Sequence, residues 1–518
     1  MPDVLEEQRL ILQAELDSRK TQSERNRLGQ FATPTSLAIE ILKYAATLIP
    51  NDTAVSFLDP AIGTGAFYSA LRQVFPESRI KEALGFEIDA HYGQPATQLW
   101  SQAGLVIKPN DFTLEQPSSR FNLVICNPPY VRHHHIQNGE KARLQARTFS
   151  ASKMKLSGLA GLYSHFLGLS HAWMTNGAVA GWLIPSEFMD VNYGRAIRHY
   201  LLSQVTLLRI HRFAPSEVQF ADALVSSAIV WFKNSPPPEK HVVTFSLGGT
   251  LFSPQLSRDI PAKSLAHELK WTRFPVSEMG RQKTTSVLSD FFRIKRGLVT
   301  GDNSYFILSA AQIAKHELPA ELFQPILPSS RFLLDDEISA DASGLPILDR
   351  QLFLLDTRLG EDQIRERYPS LFAYLQAGRA RRIHERYICR HRSPWYAQET
   401  RPPAPIVCTY LGRGDAKSGR PFRFILNNSK ATVANVYLAM YPTPSLARAM
   451  KIDPTLIRRV WQALKQIEPD RLLSEGRVYG GGLHKLEPNE LANVDASSLV
   501  ELIPESTFDA TAKQLSLF

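Results

Sequence analysis

Short apolar runs alternate with helical patterns in the first part of the chain, and this alternation restricts the fold more than any other feature of the sequence. Strand-like runs occupy residues 55–60, 83–89, 105–112 and 121–126, and segments with helical periodicity follow the first two. Alternating strands and helices predict a mostly parallel sheet that is covered by helices on both faces. In such sheets, ligands bind at the carboxyl ends of the strands.

The composition is that of a soluble globular protein. Of the 518 residues, 44% are hydrophobic and 21% are charged, which suggests about three domains, or two with insertions. Polar residues interrupt the most apolar stretch, residues 162–185, and the first 20 residues lack the apolar region of a secretory signal. We therefore expect a cytoplasmic protein that does not span a membrane. The net charge of +9 permits a polyanionic partner without requiring one.

A proline-rich segment divides the sequence. Residues 234–240 (NSPPPEK) include three consecutive prolines, which is typical of a linker. Before this segment we expect a polar helix or arm over residues 1–26 and an α/β domain over residues 27–235. After it, residues 241–518 mix strand-like and helical segments and predict a second, mixed α/β region.

Acidic residues follow three of the predicted strands. Asp59 begins the turn DPAIGTGAF, whose glycines let a ligand approach the backbone and whose following helix can face an anionic group. Glu87 lies about 20 residues further on, where an acidic residue holds the ribose in nucleoside-binding folds. Asp111 and Phe112 follow the next strand and can contact an exocyclic amine and a purine face. Each segment alone is compatible with an ordinary turn or helix cap, but together they predict a nucleoside site.

The sequence NPPY (residues 127–130) comes directly after the apolar run NLVIC. Two prolines cannot continue a central strand, because neither supplies a backbone donor. The Asn127 side-chain carbonyl and the Pro128 main-chain carbonyl can accept the two hydrogens of an amine, while the Tyr130 ring supports the ring that carries it. The alternative is a rigid surface turn. Beside two nucleoside-type segments, a receptor for a planar amine is the better interpretation.

These segments carry a family resemblance. In this order, GQFATP (29–34), DPAIGTGAF, GFEID, NDF and NPPY resemble the motifs of the γ class of S-adenosylmethionine-dependent DNA adenine-N6 methyltransferases, which belong mostly to restriction-modification systems. The strong resemblance covers residues 22–235, and a weaker one to target-recognition regions covers residues 293–308 and 476–488. It implies a Rossmann-like class I methyltransferase domain followed by a DNA target-recognition region. It also implies S-adenosylmethionine as cofactor, double-stranded DNA as substrate and a cognate restriction endonuclease acting separately.

The resemblance assigns roles to individual residues. It implies that Thr33 and Pro34 border the methionine end of the cofactor, and that Asp59, Ala61 and Gly63 form its cradle. Glu87 would hold the ribose hydroxyls, and Asp111 and Phe112 would bind the cofactor adenine. Asn127, Pro128, Tyr130 and Phe220 would contact the target base.

Basic residues are concentrated in the second half. Residues 379–392 (RARRIHERYICRHR) hold seven arginines and one glutamate. Such a run is usually a solvated face, but beside a base-modifying site phosphate contact is the better prediction. The candidates for DNA contact are Arg296, Arg379, Arg381, Arg382 and Arg390. No metal site is expected, because the consecutive residues His133–His135 do not share a face.

The sequence thus predicts an enzyme that methylates adenine N6 within a short duplex sequence after flipping the base. Two alternatives stay open. The same amine receptor occurs in methyltransferases that act on cytosine N4 of DNA, guanine of RNA or a glutamine of protein. The chain could also be a DNA-binding specificity protein with a non-catalytic cofactor domain, although the intact motif residues argue against this.

Overall fold

The computed structural model describes residues 4–214, 217, 219, 226–276, 286–413, 420–479 and 483–502. The chain divides into two compact units near residue 280. No helix in the described parts of the chain is long and apolar enough to cross a membrane.

A nine-stranded sheet organises the first unit. Its strand order is β3-β2-β1-β4-β5-β7-β6-β8-β9. Strands β1 to β5 run parallel to one another, β7 is antiparallel to both β5 and β6, and β8 is parallel to β6. The strands are β1 (Val55–Asp59), β2 (Ile80–Phe86), β3 (Leu105–Lys108), β4 (Phe121–Cys126), β5 (Met174–Pro185), β6 (Thr206–Arg212), β7 (Ser227–Lys233), β8 (Val242–Gly249) and β9 (Pro254–Pro261). The mostly parallel sheet predicted from the sequence is confirmed.

Helices cover both faces of this sheet. They are α1 (Val4–Ser18), α2 (Gln22–Leu28), α3 (Thr35–Leu48), α4 (Ala66–Val74), α5 (Ala90–Trp100), α6 (Asn138–Ser152), α7 (Leu162–Leu169), α8 (Arg195–Ser203) and α9 (Ala262–Leu265). Apolar residues of α3, α4 and α5 share one core with Phe57 of β1, whereas those of α7 and α8 share the other core with Leu58. Successive residues of a strand point to opposite faces, so both faces of the sheet are buried.

The structure differs from the sequence prediction in two places. The proline-rich segment is not the boundary between the units, because β8 and β9 follow it and extend the first sheet; residues 241–276 therefore pack with the first unit. Apolar residues recur at helical spacing over residues 162–176 and predict a helix there. The helix ends earlier, since α7 ends at Leu169, a 3₁₀ turn spans Ser170–Trp173 and β5 begins at Met174.

The second unit mixes strands and helices, as predicted. Its sheets have the orders β10-β18-β15-β17-β13, β11-β14-β12 and β16-β20-β19. The strands are β10 (Phe292–Arg296), β11 (Ile307–Ser309), β12 (Phe323–Ile326), β13 (Glu337–Ile338), β14 (Leu352–Leu355), β15 (Ile406–Thr409), β16 (Leu411–Arg413), β17 (Phe424–Asn427), β18 (Tyr437–Pro442), β19 (Arg477–Tyr479) and β20 (Leu483–Lys485). The helices are α10 (Leu288–Phe291), α11 (Asn303–Phe306), α12 (Ala310–Lys315), α13 (Glu361–Arg367), α14 (Pro369–Ala380), α15 (Pro444–Ile452), α16 (Leu456–Lys465), α17 (Pro469–Glu475), α18 (Pro488–Ala492) and α19 (Ser497–Val500).

Candidate active site

A cavity of about 510 Å³ opens at the carboxyl ends of the parallel strands in the first unit. Its lining includes residues at the carboxyl ends of four strands: Pro60 directly after β1, Glu87 directly after β2, Asn110 two residues after β3 and Asn127 directly after β4. Six of the residues assigned from the sequence line it, namely Ala61, Gly63, Glu87, Asp111, Phe112 and Asn127. The structure therefore brings the glycine turn, the acidic positions and the NPPY corner to one cavity.

The amide of Asn127 is held through its nitrogen. Nδ2 donates to the Phe31 carbonyl at 3.0 Å and to Thr33 Oγ1 at 3.1 Å. Because a backbone carbonyl can only accept, this contact fixes which end of the amide is nitrogen. Oδ1 is buried and has no hydrogen-bond partner among the described residues. A buried, unsatisfied carbonyl on the wall of a cavity is a ready acceptor for an N–H group of a ligand.

The corner is joined to the GQFATP segment through the backbone. The Tyr130 N–H donates to the Gly29 carbonyl at 3.2 Å. Gly29 has φ of +65°, and a Cβ there would lie 2.3 Å from the Tyr130 nitrogen, so only glycine allows this approach. The Tyr130 hydroxyl donates to the Leu183 carbonyl at 3.0 Å, and its ring lies 5.6 Å from that of Phe31. Pro129 lines the cavity, whereas Pro128 and Tyr130 are buried and do not belong to its lining.

Two carboxyls hold the glycine turn, those of Glu87, which is half-buried at the cavity wall, and Asp59, which is buried. Glu87 accepts from the Gly63 N–H at 3.1 Å through Oε2 and from the Asp89 N–H at 2.8 Å through Oε1. Asp59 is 1% exposed and accepts from the Ala61 N–H at 3.0 Å. Burial raises the pKa of each carboxyl to about 7, with the charge of Asp89 adding to the shift of Glu87 and that of Glu87 to the shift of Asp59. Both carboxyls are therefore close to half-charged at neutral pH.

Asp111 is the third acidic residue that follows a strand, and its neighbour Phe112 belongs to an aromatic cluster. Asp111 Oδ1 accepts from the Thr113 N–H at 2.8 Å, and Oδ2 lies 3.9 Å from the Arg143 guanidinium. The Phe112 ring packs against Phe86 and Phe166, each at 5.4 Å, and against Trp173 at 5.6 Å. This cluster fixes the Phe112 ring at the cavity wall and gives that part of the cavity a flat apolar surface.

The remaining predicted residues of the first unit lie outside the lining. Thr33 is buried and acts through its contact with Asn127, while Pro34 is exposed at the start of α3. Phe220 lies outside the described residues.

Cys126 precedes Asn127 and lies beside Asp59. It is fully buried, and burial, followed by the charge of Asp59, raises the pKa of its thiol well above the usual value. The thiol is therefore protonated and poorly suited to act as a nucleophile.

The five candidate arginines of the second unit differ in their partners. Arg379 pairs with Glu361, and Arg382 pairs with Glu385 at 2.7 Å. Arg381, Arg390 and Arg296 instead lie over the rings of Tyr305 (5.8 Å), Tyr387 (5.2 Å) and Tyr410 (4.2 Å). No carboxylate in the described part of the chain pairs with these last three, so their charge is available to an anionic partner.

The sequence did not reveal that the N-terminal helix reaches the cavity. Gln13 and Asp17 of α1 belong to the lining. The only sequence signal was a spacing of polar residues three and four apart at Glu6, Arg9 and Gln13, and such a polar stripe usually predicts a solvated face.

Comparison with known proteins gives two family matches. Residues 76–220 match the family described as Eco57I restriction-modification methylase, and residues 272–516 match the family described as Type II methyltransferase M.Eco57I, C-terminal domain. The Type II methyltransferase M.XamI of Xanthomonas campestris pv. amaranthicola is 28% identical over 487 residues, which cover 92% of this chain and 86% of that protein. M.AccI of Acinetobacter calcoaceticus is 27% identical over 485 residues, covering 90% and 85%.

The fold is also found in a solved structure. The Type IIL restriction-modification enzyme MmeI, solved in complex with DNA, is similar over 93% of this chain and 70% of its own, with a TM-score of 0.56 and 14% identity. That likeness supports the predicted class I methyltransferase fold with a second mixed α/β unit. Fold, motif residues and family matches agree on a restriction-modification DNA methyltransferase whose cofactor is S-adenosylmethionine and which is similar to enzymes of the Eco57I type.

Proposed function

We propose that this enzyme is a site-specific DNA methyltransferase that methylates N6 of adenine within a short duplex sequence. The observation that carries the proposal is the Asn127 amide, whose nitrogen is held by Phe31 and Thr33 while Oδ1 has no partner among the described residues. An exocyclic amine placed in the cavity finds this acceptor already oriented. The glycine turn, Glu87, Asp111 and Phe112 form the proposed cofactor side of the same cavity.

The chemistry follows from what an amine needs. The lone pair of adenine N6 is delocalised into the ring, so the amine is a poor nucleophile. Asn127 Oδ1 and, we propose, the Pro128 carbonyl accept its two hydrogens and draw the nitrogen toward tetrahedral geometry. The cofactor, when bound, supplies the methyl group, and alignment in the cavity provides much of the rate. The proton leaves after transfer, so a dedicated general base is not needed.

Access to a paired adenine requires base flipping, which costs a few kcal/mol. Tyr130 and Phe220 are the proposed contacts for the flipped base. The contacts of Tyr130 with Leu183 and Gly29 hold its ring and backbone in place, so the corner is rigid before any base arrives. Rigid donors and acceptors avoid reorganisation at the moment of reaction.

A basic surface supports DNA as the substrate. Residues 141–159, which include most of α6, hold five basic residues and no acidic ones. Lys153 and Lys155 lie 5.7 and 5.8 Å from the half-exposed Phe149 ring, and no described carboxylate pairs with either lysine. The segment returns to the corner, where the Leu162 N–H donates to the Val131 carbonyl at 2.9 Å. Phosphates on either side of a flipped base would meet this surface.

The second unit is the proposed target-recognition region, and a cognate endonuclease acting separately would leave methylated host DNA uncut. Incubation of unmodified duplex DNA with tritiated S-adenosylmethionine tests the proposal, followed by mass spectrometry of the nucleosides. We expect N6-methyladenine at one short sequence, which methylome sequencing would identify. Detection of N4-methylcytosine instead would mean that the target base is cytosine. Absence of label in DNA, with DNA binding intact, would favour a non-catalytic specificity protein.

A further inference from the structure

Helix α1 buries an ion pair although most of its surface is polar. Arg9 is 1% exposed and Glu6 is 7% exposed. The Arg9 guanidinium donates to Glu6 Oε2 at 2.7 Å and to Oε1 at 2.6 Å. Removing two charges from water is costly unless their other donors and acceptors are also satisfied. The pair therefore marks a place where α1 is fitted closely to the rest of the unit.

The other partners of this pair belong to the segments around the cavity. Arg9 donates to Thr64 Oγ1 at 3.3 Å and to Thr35 Oγ1 at 3.1 Å. Thr64 lies between the two glycines of the glycine turn, and Thr35 begins α3 directly after Thr33 and Pro34. A single buried guanidinium thus ties α1 to the segment assigned to the methionine end of the cofactor and to the turn assigned to its cradle.

Gln13 lies one helical turn beyond Arg9 and lines the cavity. The Thr64 hydroxyl accepts from Arg9 and donates to Gln13 Oε1 at 2.6 Å. Because Gln13 Oε1 accepts the Thr64 proton, Nε2 is the end of the Gln13 amide that has no partner in the described part of the chain. The cavity wall therefore carries a donor beside the glycine turn that no contact among the described residues uses.

The next turn of α1 also lines the cavity. Asp17 lines the cavity and accepts from the Tyr92 hydroxyl at 2.8 Å. Just beyond α1, Lys20 pairs with Asp89, whose N–H donates to Glu87 Oε1. Helix α1 is thus attached both at the glycine turn and near the proposed ribose position, so it forms a continuous wall rather than a loosely attached arm.

We propose that α1 is part of the cofactor site, that Gln13 Nε2 donates to the carboxylate at the amino-acid end of the cofactor, and that Arg9 is the residue that positions Gln13. The N-terminus of α4 follows Thr64 by two residues and attracts an anionic group. The carboxylate is the anionic group of S-adenosylmethionine, so it is the part of the cofactor that Gln13 would meet there. The inference rests on the cofactor and is independent of the identity of the target base.

Calorimetric titration of the full chain with two ligands tests the role of Gln13. S-adenosylhomocysteine keeps the amino-acid end, whereas 5′-methylthioadenosine lacks it. Because a hydrogen bond to a charged group is lost, Gln13→Ala should weaken S-adenosylhomocysteine binding about tenfold and leave 5′-methylthioadenosine binding unchanged. Gln13→Glu should weaken the former further through repulsion. Gln8→Ala is the matched control, because Gln8 is an exposed glutamine of the same helix.

Two results would overturn the proposal for Gln13. One is wild-type affinity of Gln13→Ala for S-adenosylhomocysteine, and the other is an equal loss for both ligands, which would mean a purely structural role. For Arg9, a double-mutant cycle of Arg9→Lys with Gln13→Ala is the test. Positioning predicts that the two losses of S-adenosylhomocysteine affinity are not additive, whereas additive losses would separate Arg9 from Gln13. Neither measurement uses DNA, so a wrong target base would leave both outcomes unaffected.

Discussion

At the scale of single residues, the nitrogen of the Asn127 amide is held, while Oδ1 has no partner among the described residues. Replacing Asn127 by alanine removes one of the two proposed acceptors of the target amine. We therefore expect Asn127→Ala to lower the methyl-transfer rate about 10²- to 10³-fold, as for the loss of one preorganised polar group in other active sites. Single-turnover transfer of tritium to duplex DNA measures the rate.

Calorimetric titration with S-adenosylhomocysteine separates this effect from damage to the cofactor site. The affinity should change little, because the amine acceptor and the cofactor cradle are different residues. Asn51→Ala is a suitable control, since Asn51 is exposed and precedes β1 at the edge of the sheet opposite the cavity. Near-normal turnover of Asn127→Ala would remove this residue from the target pocket.

We expect the carboxyls of Glu87 and Asp59 to make cofactor binding depend on pH. Burial raises the pKa of Glu87 and of Asp59 to about 7, above their values in the unfolded chain. At a pH above the pKa of these carboxyls in the unfolded chain but below about 7, the folded protein keeps protons that the unfolded chain has released. The contribution of these two groups to the free energy of unfolding therefore falls as the pH rises toward 7. Ribose hydroxyls donate more strongly to a charged carboxylate. Binding should therefore release protons, and the affinity for S-adenosylhomocysteine should increase between pH 6 and pH 8.

Titrations at pH 6, 7 and 8 measure that increase. Glu87→Gln removes one of the two titrating groups while keeping a hydrogen-bonding side chain, so its affinity should be lower at pH 8 and its pH profile flatter. An affinity that stays constant with pH in the wild type would mean that neither carboxyl changes its charge when the ligand binds.

At the scale of elements, local sequence signals predicted strands and turns well, but they did not predict contacts between residues that lie far apart in the chain. The runs that became β1, β2 and β4 and the turn at Gly63 follow from strand patterns and glycine spacing. Arg9 buries α1 through a contact with Thr64, which lies 55 residues away in sequence, and no local pattern reveals that contact. The three prolines indicated a boundary, but the pairing of β8 with β6 decides that the sheet continues beyond them.

Helix α6 and the residues after it supply an element-scale test of DNA contact. Each phosphate neutralised by a lysine contributes about 0.9 to the slope of log affinity against log salt concentration. We expect Lys153→Ala combined with Lys155→Ala to reduce this slope by one to two such contributions and to weaken DNA binding, as measured by fluorescence anisotropy at several salt concentrations.

The matched control replaces Lys81 and Lys240 by alanine. Both are exposed, and they lie at the start of β2 and just before β8, at the edge of the sheet opposite the cavity. If the two double variants change the salt slope equally, the loss of DNA affinity reflects overall charge. In that case Lys153 and Lys155, which follow α6, make no specific contact with DNA.

At the scale of the whole molecule, the proposed division of work places methyl transfer in the first unit and target recognition in the second. Contacts outside the cofactor cavity should then change DNA affinity without changing cofactor affinity. Arg381 and Arg390 are the sharpest candidates, because both are exposed and neither pairs with a described carboxylate. Combined replacement by alanine should weaken DNA binding and lower the salt slope, while the affinity for S-adenosylhomocysteine stays at the wild-type value.

A variant with unchanged net charge tests whether an arginine must be without a carboxylate partner to contact DNA. The alternative is that DNA affinity depends only on the number of arginines. Arg382 is paired with Glu385 at 2.7 Å, so replacing both by alanine removes an arginine without changing the net charge. If pairing withdraws Arg382 from the DNA, this variant should bind DNA with the wild-type affinity and salt slope. A loss as large as that of the Arg381 and Arg390 variant would mean that Arg382 leaves Glu385 for a phosphate on binding. The intramolecular pairs would then not distinguish contact residues from structural ones.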